Sequence, residues 1–144
     1  MYYQIAKIFN CTNLSVKAFS YIERFFTAVC DTYNFLELDF SQVQKIISSS
    51  ELNIDAEVEV LITAVNWVKC DKKERKKFAK DLFTKIRYFL IKDYELEHIM
   101  KTYLFFHNID ELVILLKCIS QKRKSTINKF FLITDFAAKN HSTL

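Results

Sequence analysis

Apolar side chains recur at intervals of three and four residues along most of the 144-residue chain, which is the spacing of one buried helix face. The first such segment opens at Thr12 or Asn13 and continues with Leu14, Ala18, Ile22, Phe25, Phe26 and Val29. Similar segments follow at residues 43–47, 58–68, 78–86, 112–119 and 127–133. The pattern predicts an all-α fold, an array of seven or eight short antiparallel helices joined by short turns.

Polar N-cap residues build the predicted turns, because the chain contains neither glycine nor proline. Three pairs have the spacing of a capping box: Asp39 and Gln42, Asp71 and Glu74, and Asn108 and Glu111. Asp55 is predicted to cap the helix that follows it. The missing glycine also excludes glycine-rich phosphate loops and makes two-residue β-hairpins hard to close.

The charge pattern gives weak support for nucleic-acid binding. The formal net charge is +4, and the whole basic surplus lies after residue 100. A basic stretch at residues 69–80 and the cluster Lys122-Arg123-Lys124 could each contact phosphate, but a solvated turn and helix face is the favoured explanation of both. A weak nucleic-acid-binding helical domain therefore stays an alternative, with nucleic acid an unlikely partner.

No constellation of residues indicates catalysis, a cofactor or a metal. The four cysteines, at positions 11, 30, 70 and 118, form no Cys-x-x-Cys pair, and the three histidines are isolated from one another. The chain shows neither a secretory signal nor an apolar run long enough to cross a membrane. We expect a soluble, cytoplasmic protein that is not an enzyme.

Five stretches between residues 14 and 100 follow one another in the order and spacing of a known helical domain. They are Ala18 with Tyr21-Ile22 and Phe25; Asn34-Phe35-Leu36-Glu37-Leu38; Ser49-Ser50-Glu51-Leu52-Asn53-Ile54 with Glu57; Ala64-Val65-x-Trp67-Val68 with Asp71, Arg75 and Lys76-Lys77; and Leu82-Phe83-x-Lys85-Ile86-Arg87. On these residues the chain resembles the BACK domain, which joins the BTB domain to the Kelch propeller in BTB-Kelch proteins. The resemblance covers residues 5 to 121. It implies a non-catalytic scaffold related to substrate adaptors of cullin-RING ubiquitin ligases.

The resemblance also has departures and limits. Phe89 stands where the family usually has a proline. The first BACK helices are expected to be incomplete, and neither a BTB domain nor Kelch repeats are part of the match. We predict a BACK-like domain at residues 1–121 and a C-terminal helix and tail at 122–144. The implied partners are BTB-Kelch proteins or a cullin, bound weakly; the oligomeric state is open.

Three of the matching residues carry specific structural expectations. The Trp67 indole N–H needs one acceptor nearby if the ring is buried. Glu57 lies in the first turn of its helix, where the helix dipole favours a carboxylate. Arg87 is expected to cap backbone carbonyls or to pair with an acidic residue such as Glu57.

Aromatic residues near the chain ends are candidates for a partner surface. The chain has 14 Phe, seven Tyr and one Trp, and an exposed patch of such residues could dock a partner or a second copy. The candidates are Tyr2, Tyr3, Phe9, Phe105 and Phe106. Ordinary core packing is the competing explanation. A further alternative is a small helical-bundle protein of viral or parasite type that binds a host signalling partner.

Overall fold

The computed structural model describes residues 12–104, 119 and 121–123. Seven α-helices lie within residues 12–104: α1 Thr12–Arg24, α2 Phe26–Cys30, α3 Tyr33–Leu36, α4 Phe40–Ile47, α5 Glu57–Cys70, α6 Lys72–Phe83 and α7 Asp93–Ile99. A 3₁₀ turn spans Tyr88–Leu90, and a π-helical segment spans Met100–Leu104. Within the described ranges there is no β-strand, and the predicted all-α array of short helices is confirmed.

The chain divides into two compact units, Met1–Glu95 and Leu96–Leu144. In the second unit, Leu96 and Ile99 are buried, and Lys101 lies 3.9 Å from Glu97 in an exposed ion pair. The predicted boundary at residue 121 falls where only residues 119 and 121–123 are described. The two predicted domains therefore stay a prediction.

Helix α5 is the central element of the first unit. It contacts α3, α4 and α6, while α1 contacts α2 and α4. Six of its side chains are at most 1% exposed: Val60, Leu61, Ala64, Val65, Trp67 and Val68. Apolar residues of the surrounding helices complete the core, chiefly Phe26, Phe35, Val43, Ile46, Ile47, Leu82 and Phe83. Each large side chain buried in this way stabilises the fold by about 1.5–3 kcal/mol.

Helix caps follow the sequence prediction at α4. The Asp39 carboxylate accepts from Gln42 N at 2.9 Å, and the Gln42 side chain accepts from Asp39 N at 3.0 Å. This is the predicted capping box. At α6, Asp71 accepts from Glu74 N at 3.3 Å, while the Glu74 carboxylate lies 3.5 Å from Lys77. The third predicted box, Asn108 with Glu111, lies outside the described residues.

The predicted Asp55 cap of α5 is wrong. The N-cap residue is Ala56, whose methyl group has no acceptor atom. The carboxylate of Glu59, one turn inside the helix, accepts instead from Asp55 N at 3.1 Å and from Ala56 N at 3.2 Å. A side chain from within the helix therefore satisfies the backbone donors at its start.

The first predicted helical segment is divided at Phe25. This residue has φ −117° and ψ 35°, outside the helical range, and it separates α1 from α2. On either side of the break Ile22 and Phe26 are buried, whereas Leu14 and Phe25 are 40% and 44% exposed. Two apolar positions that fit the buried periodicity thus lie on the surface.

Candidate functional site

A buried ion pair joins the start of α5 to the segment after α6. The Glu57 side chain is 1% exposed, and its Oε2 lies 2.9 Å from Arg87 Nη2. Arg87 also donates from Nε to Oε2 at 3.1 Å, and from its backbone N–H to Oε1 at 2.9 Å. The predicted pairing of Arg87 with Glu57 is confirmed. Three donors on one carboxylate offset much of the cost of burying its charge.

The single tryptophan joins α5 to the turn between α3 and α4. Trp67 is 1% exposed, and its Nε1–H donates to the backbone carbonyl of Leu38 at 3.0 Å. The expected acceptor is therefore present. Phe35, in α3, and Leu38, within the turn, are both buried, so the bond fixes a segment that apolar packing also holds.

Arg75 forms a second tether to the same turn. Its Nη1 donates to the carbonyl of Trp67 at 2.9 Å, and its Nη2 donates to the carbonyl of Leu36 at 2.6 Å. Its guanidinium carbon lies 4.2 Å from the centroid of the Trp67 ring, within the range of a cation–π contact. Sequence reasoning placed Arg75 only in the charged turn of the family pattern and missed this role. No short-range signal identifies a carbonyl 39 residues away.

The loop between α4 and α5 is bound to the end of α1. Asn53 donates from its backbone N–H to the Glu23 carbonyl at 2.9 Å and from its side chain to the Arg24 carbonyl at 3.2 Å. Ser49 donates to the Glu23 carboxylate at 2.5 Å. Leu52, a residue of this loop that belongs to the family pattern, is buried.

The residues of the family pattern thus fall into three groups by exposure. Buried members are Phe35, Leu38, Leu52, Glu57 and Trp67. Half-buried members are Leu36, Arg75 and Arg87, and exposed members are Tyr21 and Phe25. The buried and half-buried groups include every residue of the three tethers, Glu57–Arg87, Trp67–Leu38 and Arg75–Leu36.

The exposed pair belongs to an apolar stripe on α1. Tyr21 is 60% exposed, and its ring centroid lies 4.7 Å from that of Phe25. Leu14, also exposed, lies seven and eleven residues before them, a spacing that places all three on one side of the helix. We call Leu14, Tyr21 and Phe25 the α1 stripe. Sequence reasoning assigned Leu14 and Phe25 to a buried face and Tyr21 to the family pattern, so it missed the stripe.

All five candidate residues of the predicted partner surface lie outside the described residues: Tyr2, Tyr3, Phe9, Phe105 and Phe106. Their assignment to a partner surface stays a prediction. Other large apolar side chains are exposed within the described ranges, namely Val16, Tyr33, Phe89, Leu90 and Tyr94.

The described cysteines differ in environment. Burial raises the pKa of the Cys30 thiol to about 12, against a smaller lowering by its hydrogen bond to Thr63. Cys70 is exposed. Among the described residues, no group of His, Cys, Asp and Glu side chains could hold a metal ion. The same residues contain no helix whose length and apolar character would allow it to span a membrane.

Comparisons with known proteins point to one family. The family description "BACK: BTB And C-terminal Kelch" matches residues 1–101 of the chain. The chain is 32% identical over 104 residues to human Kelch-like protein 28, and this alignment covers 68% of the chain. It is 36% identical over 87 residues to mouse Kelch-like protein 7, covering 60% of the chain, and 26% identical over 99 residues to human Kelch-like protein 41, covering 68%.

These alignments span only a small part of each relative. They cover 18% of human Kelch-like protein 28, 15% of mouse Kelch-like protein 7 and 16% of human Kelch-like protein 41. The similarity therefore concerns one helical segment of these proteins and not their whole length.

Proposed function

The chain belongs to the BACK family, and from this premise we propose that it is a non-catalytic connector that holds partner-binding modules at a fixed spacing and orientation. The family domain is a helical adaptor-type module of BTB-Kelch proteins. The finer proposal is that this chain acts in the cytoplasm, beside BTB-Kelch adaptors that bring substrates to cullin-RING ubiquitin ligases. Its partners would then be other proteins.

The observation that carries the proposal is the set of three polar tethers. Each one joins segments that are distant in sequence: Glu57 to Arg87 across 30 residues, Trp67 to Leu38 across 29, and Arg75 to Leu36 across 39. Directional contacts of this kind restrict how helices can shift against each other, more than apolar packing alone does. A domain whose inter-helix turns are fixed in this way is suited to transmit a defined geometry.

The α1 stripe supplies a surface for a partner. Leu14 and Tyr21 on α1, together with Phe25 directly after it, are exposed to solvent at 40–60%, and such patches mark protein–protein contacts more often than isolated exposed residues do. We propose that the α1 stripe is part of the surface that contacts a BTB-Kelch protein. We propose a role in partner binding also for Tyr2, Tyr3, Phe9, Phe105 and Phe106.

A pull-down with the tagged full chain tests the proposal. The recovered proteins are scored for cullins and for BTB-Kelch proteins. We expect a BTB-Kelch protein to be recovered, with a cullin recovered weakly. The double variant Y21S/F25S should reduce recovery about fivefold, because aromatic anchors carry much of an interface's energy. The matched control Y33S removes another exposed tyrosine and should leave recovery unchanged.

Two outcomes contradict the proposal. If neither a cullin nor a BTB-Kelch protein is recovered, the proposed connector role is contradicted, because it has no partner. Equal recovery with wild type and Y21S/F25S would exclude the α1 stripe from the interface. Circular dichroism of both variants checks that their helices remain formed.

A further inference from the structure

A groove of about 430 Å³ lies between the α3–α4 turn and α6. Its apolar surface includes the rings of Phe40 and Phe78, whose centroids lie 4.5 Å apart at an interplanar angle of 10°. Both rings are half-buried, so part of each remains accessible to solvent. The Nζ of Lys77 lies 5.2 Å from the centroid of the Phe78 ring, and the accessible part of the aromatic pair offers a contact surface for an apolar or aromatic side chain.

The walls of the groove are held in place by contacts already described. Trp67 and Arg75 both line it, and their hydrogen bonds to the Leu38 and Leu36 carbonyls fix the α3–α4 turn. Asp39, at the start of α4, is fixed by its capping box with Gln42. A ligand would therefore bind to a preformed surface and would avoid much of the cost of ordering it.

The charge of the groove is opposite in sign to that of the chain. Three acidic residues line it, Glu37, Asp39 and Glu74, against two basic residues, Arg75 and Lys77. Arg75 is engaged by two carbonyls, and Lys77 lies 3.5 Å from Glu74. Glu37 is exposed at the rim. With Glu74 paired to Lys77 and Arg75 engaged by carbonyls, the exposed Glu37 leaves a local negative charge at the rim, which favours a positively charged group beside it through charge complementarity.

We propose that this groove binds a basic peptide segment of a partner protein. An apolar or aromatic side chain of the peptide would lie on the Phe40–Phe78 stack, and an adjacent Lys or Arg would pair with Glu37. The aromatic platform explains the need for an apolar anchor, and the acidic rim explains the preference for a cation beside it. This inference does not depend on the proposed role beside ubiquitin ligases.

Trp67 provides a direct reporter for the test. It is the one tryptophan of the chain, so its indole N–H gives a single resonance in ¹⁵N NMR. Two blocked hexapeptides serve as probes, each with a central Leu-Phe pair, one flanked by arginines and the other by glutamates. We expect the basic peptide to shift the indole resonance saturably, with weaker binding at high salt, and the acidic peptide to leave it unchanged.

Charge reversal at the rim separates specific from general attraction. E37K should weaken binding of the basic peptide at least about fivefold, because it replaces an attractive contact with a repulsive one. The control E51K makes the same change at an exposed position outside the groove and should change binding less than twofold. Both residues are exposed, so both variants should fold.

Three results would overturn the inference. One is equal binding of the basic and acidic peptides, and another is binding that E37K and E51K weaken to the same extent. The third is a shift of the indole resonance with chain concentration in the absence of peptide, which would identify a second copy of the chain as the occupant.

Discussion

Arg75 lies over the indole ring of Trp67, with its guanidinium carbon 4.2 Å from the ring centroid, and donates to the backbone carbonyl of the same residue at 2.9 Å. The second arm of the guanidinium reaches the Leu36 carbonyl. Arg75, on α6, therefore contacts the central helix α5 at both the ring and the backbone carbonyl of Trp67. It also contacts the end of α3. Only a planar fork of several N–H donors can make these contacts together.

Substitution R75K tests this relationship. A lysine keeps the charge but loses the fork and the flat stacking surface, and one or both carbonyls lose a charged donor. We expect the free energy of unfolding to fall by about 2 kcal/mol, measured by urea denaturation. The control K73R exchanges the same residue types at an exposed position of α6 and should change stability by less than about 0.5 kcal/mol. A loss below about 0.5 kcal/mol in R75K would show that the tether contributes little to the stability of the fold.

The Glu57–Arg87 pair should be sensitive to removal of either partner. Variant R87A leaves a carboxylate that is 1% exposed with a backbone N–H as its remaining donor. Breaking a buried pair in this way costs about 3–5 kcal/mol, and the 31% exposure of Arg87 lowers the expected loss to about 2–3 kcal/mol. Thermal and urea unfolding measure it.

A double-mutant cycle separates the pair from other effects of the substitutions. E57Q/R87A should lose less stability than the sum of E57Q and R87A, because the two residues contact each other. The exposed pair Lys77–Glu74 gives the comparison: K77A should cost less than about 0.5 kcal/mol. Additive losses in the cycle would contradict a direct energetic coupling.

Local signals in the sequence were sufficient for much of this fold. Helical spacing depends on residues three and four apart, and the Asp39–Gln42 capping box is complete within four residues. The need of a buried indole for an acceptor follows from the chemistry of Trp67 alone. The Glu57–Arg87 pair joined two local arguments, a carboxylate in a first turn and a cation near a helix end. Glu57 is the first residue of α5, as expected, whereas Arg87 lies four residues beyond the end of α6.

The remaining features depend on tertiary packing. The acceptor of Trp67 and the carbonyls bound by Arg75 are backbone groups, which every residue carries, so no residue type marks them in the sequence. The break at Phe25 has no local signal in the apolar pattern, because Ile22 and Phe26, four residues apart, would also share one face of a continuous helix. The Glu59 carboxylate accepts from the backbone N–H groups of Asp55 and Ala56, just before α5, because its side chain reaches back from within the helix.

A proline at position 89 should stabilise the domain. Phe89 lies in the 3₁₀ turn Tyr88–Leu90 and is 79% exposed. A 3₁₀ turn has a φ close to that of proline, and the substitution removes little packing. We expect F89P to raise the free energy of unfolding by about 0.5–1 kcal/mol by restricting the unfolded chain, seen as an increased Tm.

The comparison F89A separates loss of the aromatic ring from the effect of proline. It should leave the Tm close to that of wild type, since the ring is largely exposed. A lower Tm in F89P than in F89A would show that the backbone of Tyr88, which precedes the substituted position, is incompatible with a following proline.

Alkaline pH should destabilise the domain through Cys30. Burial raises the pKa of its thiol from about 9 to about 12. Between these values the folded chain keeps the proton and the unfolded chain releases it, so stability present below pH 9 falls as pH rises through this window. From pH 9 to pH 10.5 the contribution of Cys30 should fall by about 1.5 kcal/mol. Variant C30A should show a decline smaller by this amount, whereas C70A, at an exposed thiol, should follow wild type. Urea denaturation at the two pH values measures both, and an identical decline in C30A and wild type would exclude Cys30 as the titrating group.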